Sequence, residues 1–473
     1  MTKHKIFFNN QMVTFDNTLE IRSPETNEVV GILPSFKKNQ INSIFENAEK
    51  AFETWSTMPN QKRIDYMLAF GKIMLDNKEE LAKAVTDEVA KNYSDSIKEI
   101  ERSYDCIVET IEEYEKNFVK PKVQYDNPQT KKGKVSYQKK VPLGVVLAIS
   151  PFNYPVNLSL SKIIPALVLG NTVVFKPATQ GSISGALLSK YFYEANLPSN
   201  VLNIIIGRGS EIGDEIIENK RIKMISFTGG VDIGNRIAEK TSGIPLVLEM
   251  GGKDPAIILK DANLNTTVSN VVKGGLSYSG QRCTAIKIVF VHKSIANEFT
   301  NKLIEEVKKL SVGYTINKSD ITPLISSSSV QWATKLITDA IDKGAKLEIG
   351  GNTQGNILYP TVLSGITNDM MIFDGEQFAP IIPIVEFDNV QTVIDDLHNS
   401  LYGLQACIFT QNHKEFVRIA NKLNYGSINW NFASSRGPDK FPFLGVKNSG
   451  FGIQGIYWSL ESMSRMKTYV VEK

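Results

Sequence analysis

Between Asn39 and about Val119 apolar residues return every three to four positions, as in Ile97, Ile100, Tyr104, Ile107 and Ile111, with charged residues between them. That spacing predicts a run of amphipathic helices. From Pro121 to Lys140 the chain turns polar and basic, and Asn127-Pro128 and Lys132-Gly133 punctuate two short alternating segments. A projecting hairpin is the expectation there, and such an arm gains most by pairing with another subunit. From Val141 to about Leu248, β-branched apolar runs at Gly144–Ile149, Thr172–Phe175, Val201–Ile206 and Met224–Phe227 alternate with helical segments. This is the pattern of βαβ units around a parallel sheet. A second alternating series runs from Ala256 to about Trp430, and Met466 to Val471 reads as a terminal strand. The predicted fold class is α/β, with two such domains, a cleft between them and a small β arm.

Composition narrows the partners. A chain of 473 residues with 42% hydrophobic and 22% charged residues has material for more than one core. A net charge of +3 is too small at this length to suggest a nucleic-acid footprint. Cys106, Cys283 and Cys407 are odd in number and far apart, so no disulfide framework or metal-ligand spacing is expected, and a reducing compartment is. The longest apolar stretches, Val145–Ile149 and Ile163–Phe175, are short or broken by Pro165, Gly170 and Asn171. They fall below the roughly 20 residues a membrane span needs, and the start of the chain lacks a signal-peptide pattern. A cytoplasmic protein without a membrane partner is expected.

Two glycine-bearing turns between strand and helix, Gly207-Arg208-Gly209 and Thr228-Gly229-Gly230, stand in the first α/β region. Glycine lets backbone approach a pyrophosphate while a helix N-terminus offers unpaired N–H groups, although each turn taken singly reads equally well as a tight turn. Lys176-Pro177-Ala178-Thr179, directly after a strand, has a cation and a hydroxyl where an acidic residue would hold a ribose diol. Lys176 and Thr179 therefore point to NADP, with NAD a weaker possibility. A solvated lysine at a strand end is the bland alternative.

Candidate chemistry begins at Gly280-Gln281-Arg282-Cys283-Thr284. A thiol with pKa near ~8.5 needs a neighbouring cation or oriented N–H groups to react, and Arg282 with the glycine turn is the expected source of both. Taken alone, Cys283 reads as well as an inert packing residue. Glu249 ends an apolar strand before Gly251-Gly252, and Asn153 lies in the proline-flanked loop Ser150-Pro151-Phe152-Asn153-Tyr154-Pro155. Nucleophile, base and oxyanion donor are thus all available, while none of His4, His292, His398 and His413 is placed to serve the thiol as a base.

Phe152-Asn153-Tyr154-Pro155, Phe227-Thr228-Gly229-Gly230, Glu249-Met250-Gly251-Gly252-Lys253, Gly280-Gln281-Arg282-Cys283 and Glu376-Gln377-Phe378-Ala379-Pro380 together resemble the aldehyde dehydrogenase superfamily over essentially the whole chain. Met250 stands where that family commonly has leucine. The resemblance implies two Rossmann-type domains: residues 1–120 and 141–248 binding the dinucleotide, 249–455 catalytic, and 121–140 with 456–473 as an oligomerisation arm of a homotetramer. It implies attack by Cys283 on an aldehyde, an oxyanion held by Asn153 and the Cys283 N–H, and release of acid by water activated by Glu249. Ser150, Gly229, Gly230, Glu376 and Phe378 would join Lys176 and Thr179 in holding the cofactor, with no metal. The run Asn431 to Gly445 resembles the non-phosphorylating glyceraldehyde-3-phosphate dehydrogenase branch, which oxidises a glycolytic phosphorylated aldehyde. There Arg102, Tyr154, Arg282 and Arg436 would grip the phosphate, with Arg282 and Thr284 flanking the thiol. From its surroundings alone Arg102 reads as part of a solvated ion-pair face. The alternatives are a semialdehyde dehydrogenase of the same superfamily and an inactive NADP-binding relative.

Overall fold

The computed structural model describes residues 4–8, 11–14 and 16–472. Five parallel strands form the first sheet in the order Leu246–Glu249, Ile222–Thr228, Val145–Ile149, Thr172–Lys176, Leu202–Ile204. The chain starts in the middle, builds outward to one side, and then crosses to the other. The crossover leaves a crevice at the carboxyl ends of Val145–Ile149 and Ile222–Thr228, where ligands bind in open α/β sheets. Strand residues Val145 to Ala148 are buried without alternation, as a sheet covered on both faces requires.

Those covers are the predicted helices. Lys38–Trp55 presents Ile41, Ile44, Phe45 and Ala48 inward, and Tyr93–Asn117 presents Ile100, Ile107 and Ile111. The helix Asn157–Leu169 is buried on nearly every side, so its ends need partners inside the protein. Glu99 accepts from the Val156 and Asn157 N–H groups at one end, and Trp55 Nε1 and Arg63 Nε donate to the Leu167 and Val168 carbonyls at the other. Glu88 likewise accepts from Ile183 and Ser184 at the start of helix Ser182–Glu194.

The second sheet has seven strands in the order Lys346–Ile349, Thr361–Ser364, Ile381–Phe387, Ile286–His292, Asp254–Ile258, Gln405–Phe409, Ser427–Trp430, parallel except at the first edge. The mixed α/β class with parallel sheets is as expected. The predicted hairpin is Lys122–Tyr125 with Lys134–Pro142, and Ser464–Glu472 pairs antiparallel with the latter over nine positions. Two details differ from the linear division of the chain. Gly450–Phe451 adds an antiparallel edge to the first sheet, and Leu460 and Met463 sit in that module's core. Gly450 permits the first contact because a side chain there would meet the Leu248 carbonyl.

Among the described residues no helix is long and apolar enough to cross a membrane, and no group of three or more His, Cys, Asp or Glu converges as metal ligands would.

Candidate active site

Two adjoining cavities open at the crevice. One, of about 380 Å³, is lined by Ser150, Phe152, Asn153, Gly229, Gly230, Cys283, Glu376 and Phe378 among others. The second, of about 530 Å³, is lined by Lys38, Lys176, Gly209, Ser210, Glu211 and Arg236. Ile149, Ala178 and Ile233 border both, so they form one channel from the thiol to Lys176. The channel fits a dinucleotide. Helices Val231–Lys240 and Gly209–Ile217 begin without a side-chain cap, and a Cβ on Gly230 would point into open space. By contrast, Glu99 and Glu88 already occupy the other two helix starts on this side of the sheet, which directs an anion to the open pair. Lys176 is buried, which pulls its ammonium down to about 8. Its Nζ donates to the Pro177 carbonyl. Thr179 is half-buried and lines neither cavity.

The thiol stands beyond a tight turn. Tyr278, Ser279 and Gly280 have φ of 52, 52 and 69°, and a Cβ on Gly280 would lie 2.3 Å from the Ala379 carbonyl. Cys283 is partly open to the cavity but otherwise enclosed by protein. Burial pushes its thiol up to about 11, with Lys287 and Arg436 acting in the opposite direction and Glu249 adding to the rise. The cation expected from Arg282 is therefore misassigned. Arg282 Nη2 donates to the Lys273 and Gly274 carbonyls at the end of helix Leu264–Leu276, where the last carbonyls of a helix attract a guanidinium. Lys287 and Arg436 are instead the cations that oppose the rise.

Asn153 is buried and donates Nδ2 to the Gln281 carbonyl at 2.9 Å, which leaves one amide hydrogen beside the turn. The Cys283 N–H has no acceptor among the described residues. The loop is fixed from behind, because Lys91 donates to the Asn153 carbonyl and to Glu99, and lies 3.7 Å from the centre of the Tyr154 ring. Ser150 is held by the Ser159 hydroxyl.

Glu249 carries the densest set of contacts. Its oxygens accept from Arg436 Nη1 at 2.8 and 2.7 Å and from the Thr228 hydroxyl at 2.8 Å. Lys162, wholly buried, donates to Thr228 and lies 3.9 Å from the carboxylate; burial pulls its ammonium down to about 8, and Glu249 opposes that. Arg102 grips Asp439 through Nε and Nη2 and also donates to the Arg436 carbonyl. Arg102 is thus no member of a merely solvated face, and it ties the loop that carries Arg436. The Ser434 hydroxyl donates to the Thr284 carbonyl, joining the same loop to the nucleophile turn.

Glu376 accepts from the Gly252 N–H at 3.1 Å, and Gly251 leaves room for it, since a Cβ there would lie 2.1 Å from its Oε2 as placed. Phe378 meets Phe152 edge to face across the cavity. Sequence reasoning missed Lys162, Thr228, Lys287 and Gln454. A solitary lysine inside the apolar run Leu158–Leu169, and another in Ile286–Val291, were the available signals for two of them.

A nucleotide channel that ends on an enclosed thiol, an amide donor and a hydrogen-bonded carboxylate defines an oxidoreductase acting on a carbonyl. The aldehyde dehydrogenase family model matches residues 12–469, and the chain belongs to that family. It is 39% identical over 475 residues, all of this chain and 99% of the relative, to the NADP-dependent glyceraldehyde-3-phosphate dehydrogenase of Streptococcus equinus. The enzyme of the same name from Arabidopsis thaliana is 39% identical over 96% of this chain and 92% of its own. A crystal structure of NADP-dependent glyceraldehyde-3-phosphate dehydrogenase from Bacillus halodurans, complexed with NADP, superposes with a TM-score of 0.97, 41% identity and full coverage of both chains.

Proposed function

We propose that the chain catalyses the irreversible NADP-dependent oxidation of D-glyceraldehyde 3-phosphate to 3-phosphoglycerate. The observation that carries this reading is the pair of guanidinium groups, Arg102 and Arg436, joined through one loop, with Arg436 reaching the Glu249 carboxylate. A phosphate dianion needs several charge-assisted donors, each worth roughly 1.5–3 kcal/mol, and the arginine fork suits it. The names of full-length relatives support the same substrate and cofactor.

In this reading the Cys283 sulfur adds to the aldehyde carbon, and the new oxyanion is met by the Cys283 N–H and the Asn153 amide. One such donor is typically worth ~2.7–4 kcal/mol of barrier. NADP, when bound, supplies the two-electron acceptor that turns this adduct into a thioester. Glu249 then takes a proton from the water that attacks the thioester carbon, and the carbon–sulfur bond breaks to free the acid and Cys283. Gly229, Gly230 and the helix start beyond them would hold the pyrophosphate, Lys176 the 2′-phosphate, and Ser150, Glu376 and Phe378 the nicotinamide half. Arg102, Tyr154, Thr284 and Arg436 would hold the substrate, while Arg282 braces the nucleophile turn against helix Leu264–Leu276. We also infer a cytoplasmic homotetramer assembled through the hairpin and terminal strand, on which Tyr469, Val470 and Val471 are exposed.

The test is incubation with NADP and glyceraldehyde 3-phosphate while following NADPH absorbance. No turnover there, with turnover of an unphosphorylated semialdehyde, would replace this reading with a semialdehyde dehydrogenase.

A further inference from the structure

Beneath the nucleophile turn lie two buried lysines, Lys287 and Lys253, that the mechanism above does not use. Lys287, second residue of the strand Ile286–His292, has a side chain only 1% exposed. Its Nζ donates to the Cys283 carbonyl at 2.6 Å and lies 3.3 Å from Glu376 Oε1. The same strand position is clamped through its backbone, since Gln377 Nε2 donates to the Lys287 carbonyl at 2.8 Å. Lys253, also buried, donates to Gln377 Oε1 and the Gly375 carbonyl at 2.8 Å each. Residues 375–377 are therefore locked to the strand under the thiol, with one ammonium joining the two sides.

A buried lysine is rare unless its charge has work or a partner, and here the partners are split between two backbone carbonyls, those of Cys283 and Ala285, and a half-buried carboxylate. The groups facing it are Glu376, Lys253 and Asp254. Those facing the sulfur are Lys287, Glu249, Arg436, Asp254 and Lys162. Asp254 is buried with one oxygen unpaired, so Lys287 balances it as well. Lys162 is engaged with Thr228, and Arg436 with Glu249 and Gln454, which leaves Lys287 as the cation bonded to the nucleophile residue itself.

We propose that Lys287 is a positioning residue that holds the Cys283 carbonyl and the Glu376 carboxylate at a fixed separation and supplies the positive charge that stabilises the Cys283 thiolate. The inference rests on reading Cys283 as nucleophile and Glu376 as cofactor holder, but not on which aldehyde is oxidised. One ammonium thereby sets both the reactivity of the sulfur and the place of the cofactor-facing carboxylate. The Lys287→Met chain matches the shape and loses both functions, whereas Lys287→Arg keeps the charge.

The experiment measures the rate of Cys283 alkylation by iodoacetamide across pH 7–10, with the modified residue located by mass spectrometry, and NADP affinity by fluorescence quenching. Neither measurement needs substrate, so a wrong substrate assignment leaves both outcomes intact. Lys287→Met should give a rate profile parallel to the wild type but about tenfold slower at each pH, as for a thiol shifted by about one unit, with NADP bound about tenfold more weakly. Lys287→Arg should follow the wild-type alkylation profile. If Lys287→Met fails to fold, Lys287→Gln replaces it, keeping a donor for the Cys283 carbonyl without the charge, and the same tenfold slowing is expected. Alkylation at the wild-type rate in the uncharged variant, or equal slowing in the arginine variant, overturns the proposal.

Discussion

Arg436 Nη1 lies 2.8 and 2.7 Å from the two carboxylate oxygens of Glu249. The arginine assigned to substrate phosphate and the carboxylate assigned to water are thus one buried ion pair. A phosphate competing for the guanidinium would loosen the base at the moment its substrate arrives.

Replacing Arg436 with leucine should lower kcat/KM for the phosphorylated aldehyde about 10- to 150-fold more than for an unphosphorylated analogue, the worth of one charge-assisted contact. It should also cost about 3–5 kcal/mol of stability in urea titration, since it strands a buried carboxylate. Equal kinetic losses on both substrates would remove phosphate recognition from Arg436.

Glu249→Ala should give a burst of NADPH near one equivalent per active site in stopped flow, then stall, because the thioester forms but water is not activated. Steady turnover at the wild-type rate would take the base role away from Glu249.

Lys176→Met should raise KM for NADP by about 10-fold or more while changing KM for NAD little, because only the 2′-phosphate gains from the ammonium. Parallel changes with both cofactors would mean that the lysine does not read the phosphate.

Glu88 is wholly buried, and burial raises its carboxyl to about 7 against the opposing bonds from Ser184 and Ile183. A raised carboxylate binds protons in the folded state that the unfolded chain has lost, so its contribution to stability falls as pH rises from about 4.5 to 7. The stability of wild type minus that of Glu88→Gln should therefore drop by up to about 3 kcal/mol over that window, read from urea midpoints. A flat difference would show that Glu88 does not titrate there.

The strands and helices were legible because a doubly covered parallel sheet writes long apolar runs, and the amide, carboxylate and nucleophile were legible because they lie just after, at the end of and just before such strands. Side-chain direction was not. Arg282 adjoins Cys283 in sequence, but the turn through Tyr278 and Ser279 sends its guanidinium to the carbonyls of helix Leu264–Leu276, whereas Lys287, four residues on, reaches back to the Cys283 carbonyl. Arg102 is 337 residues from Asp439, and spacing along one helix gave no sign of that partnership. Lys162 was hidden by the same apolar run that identified its helix.

Gly450–Phe451 closes the edge of the first sheet, and Leu460 and Met463 fill its core. A chain emerging from the ribosome in order would hold every other strand of that module long before these arrive. Its earliest-made half must therefore wait, partly unsealed, until residues 450–463 are synthesised, and a truncation near residue 445 should be captured by chaperones rather than accumulate as a working half-enzyme.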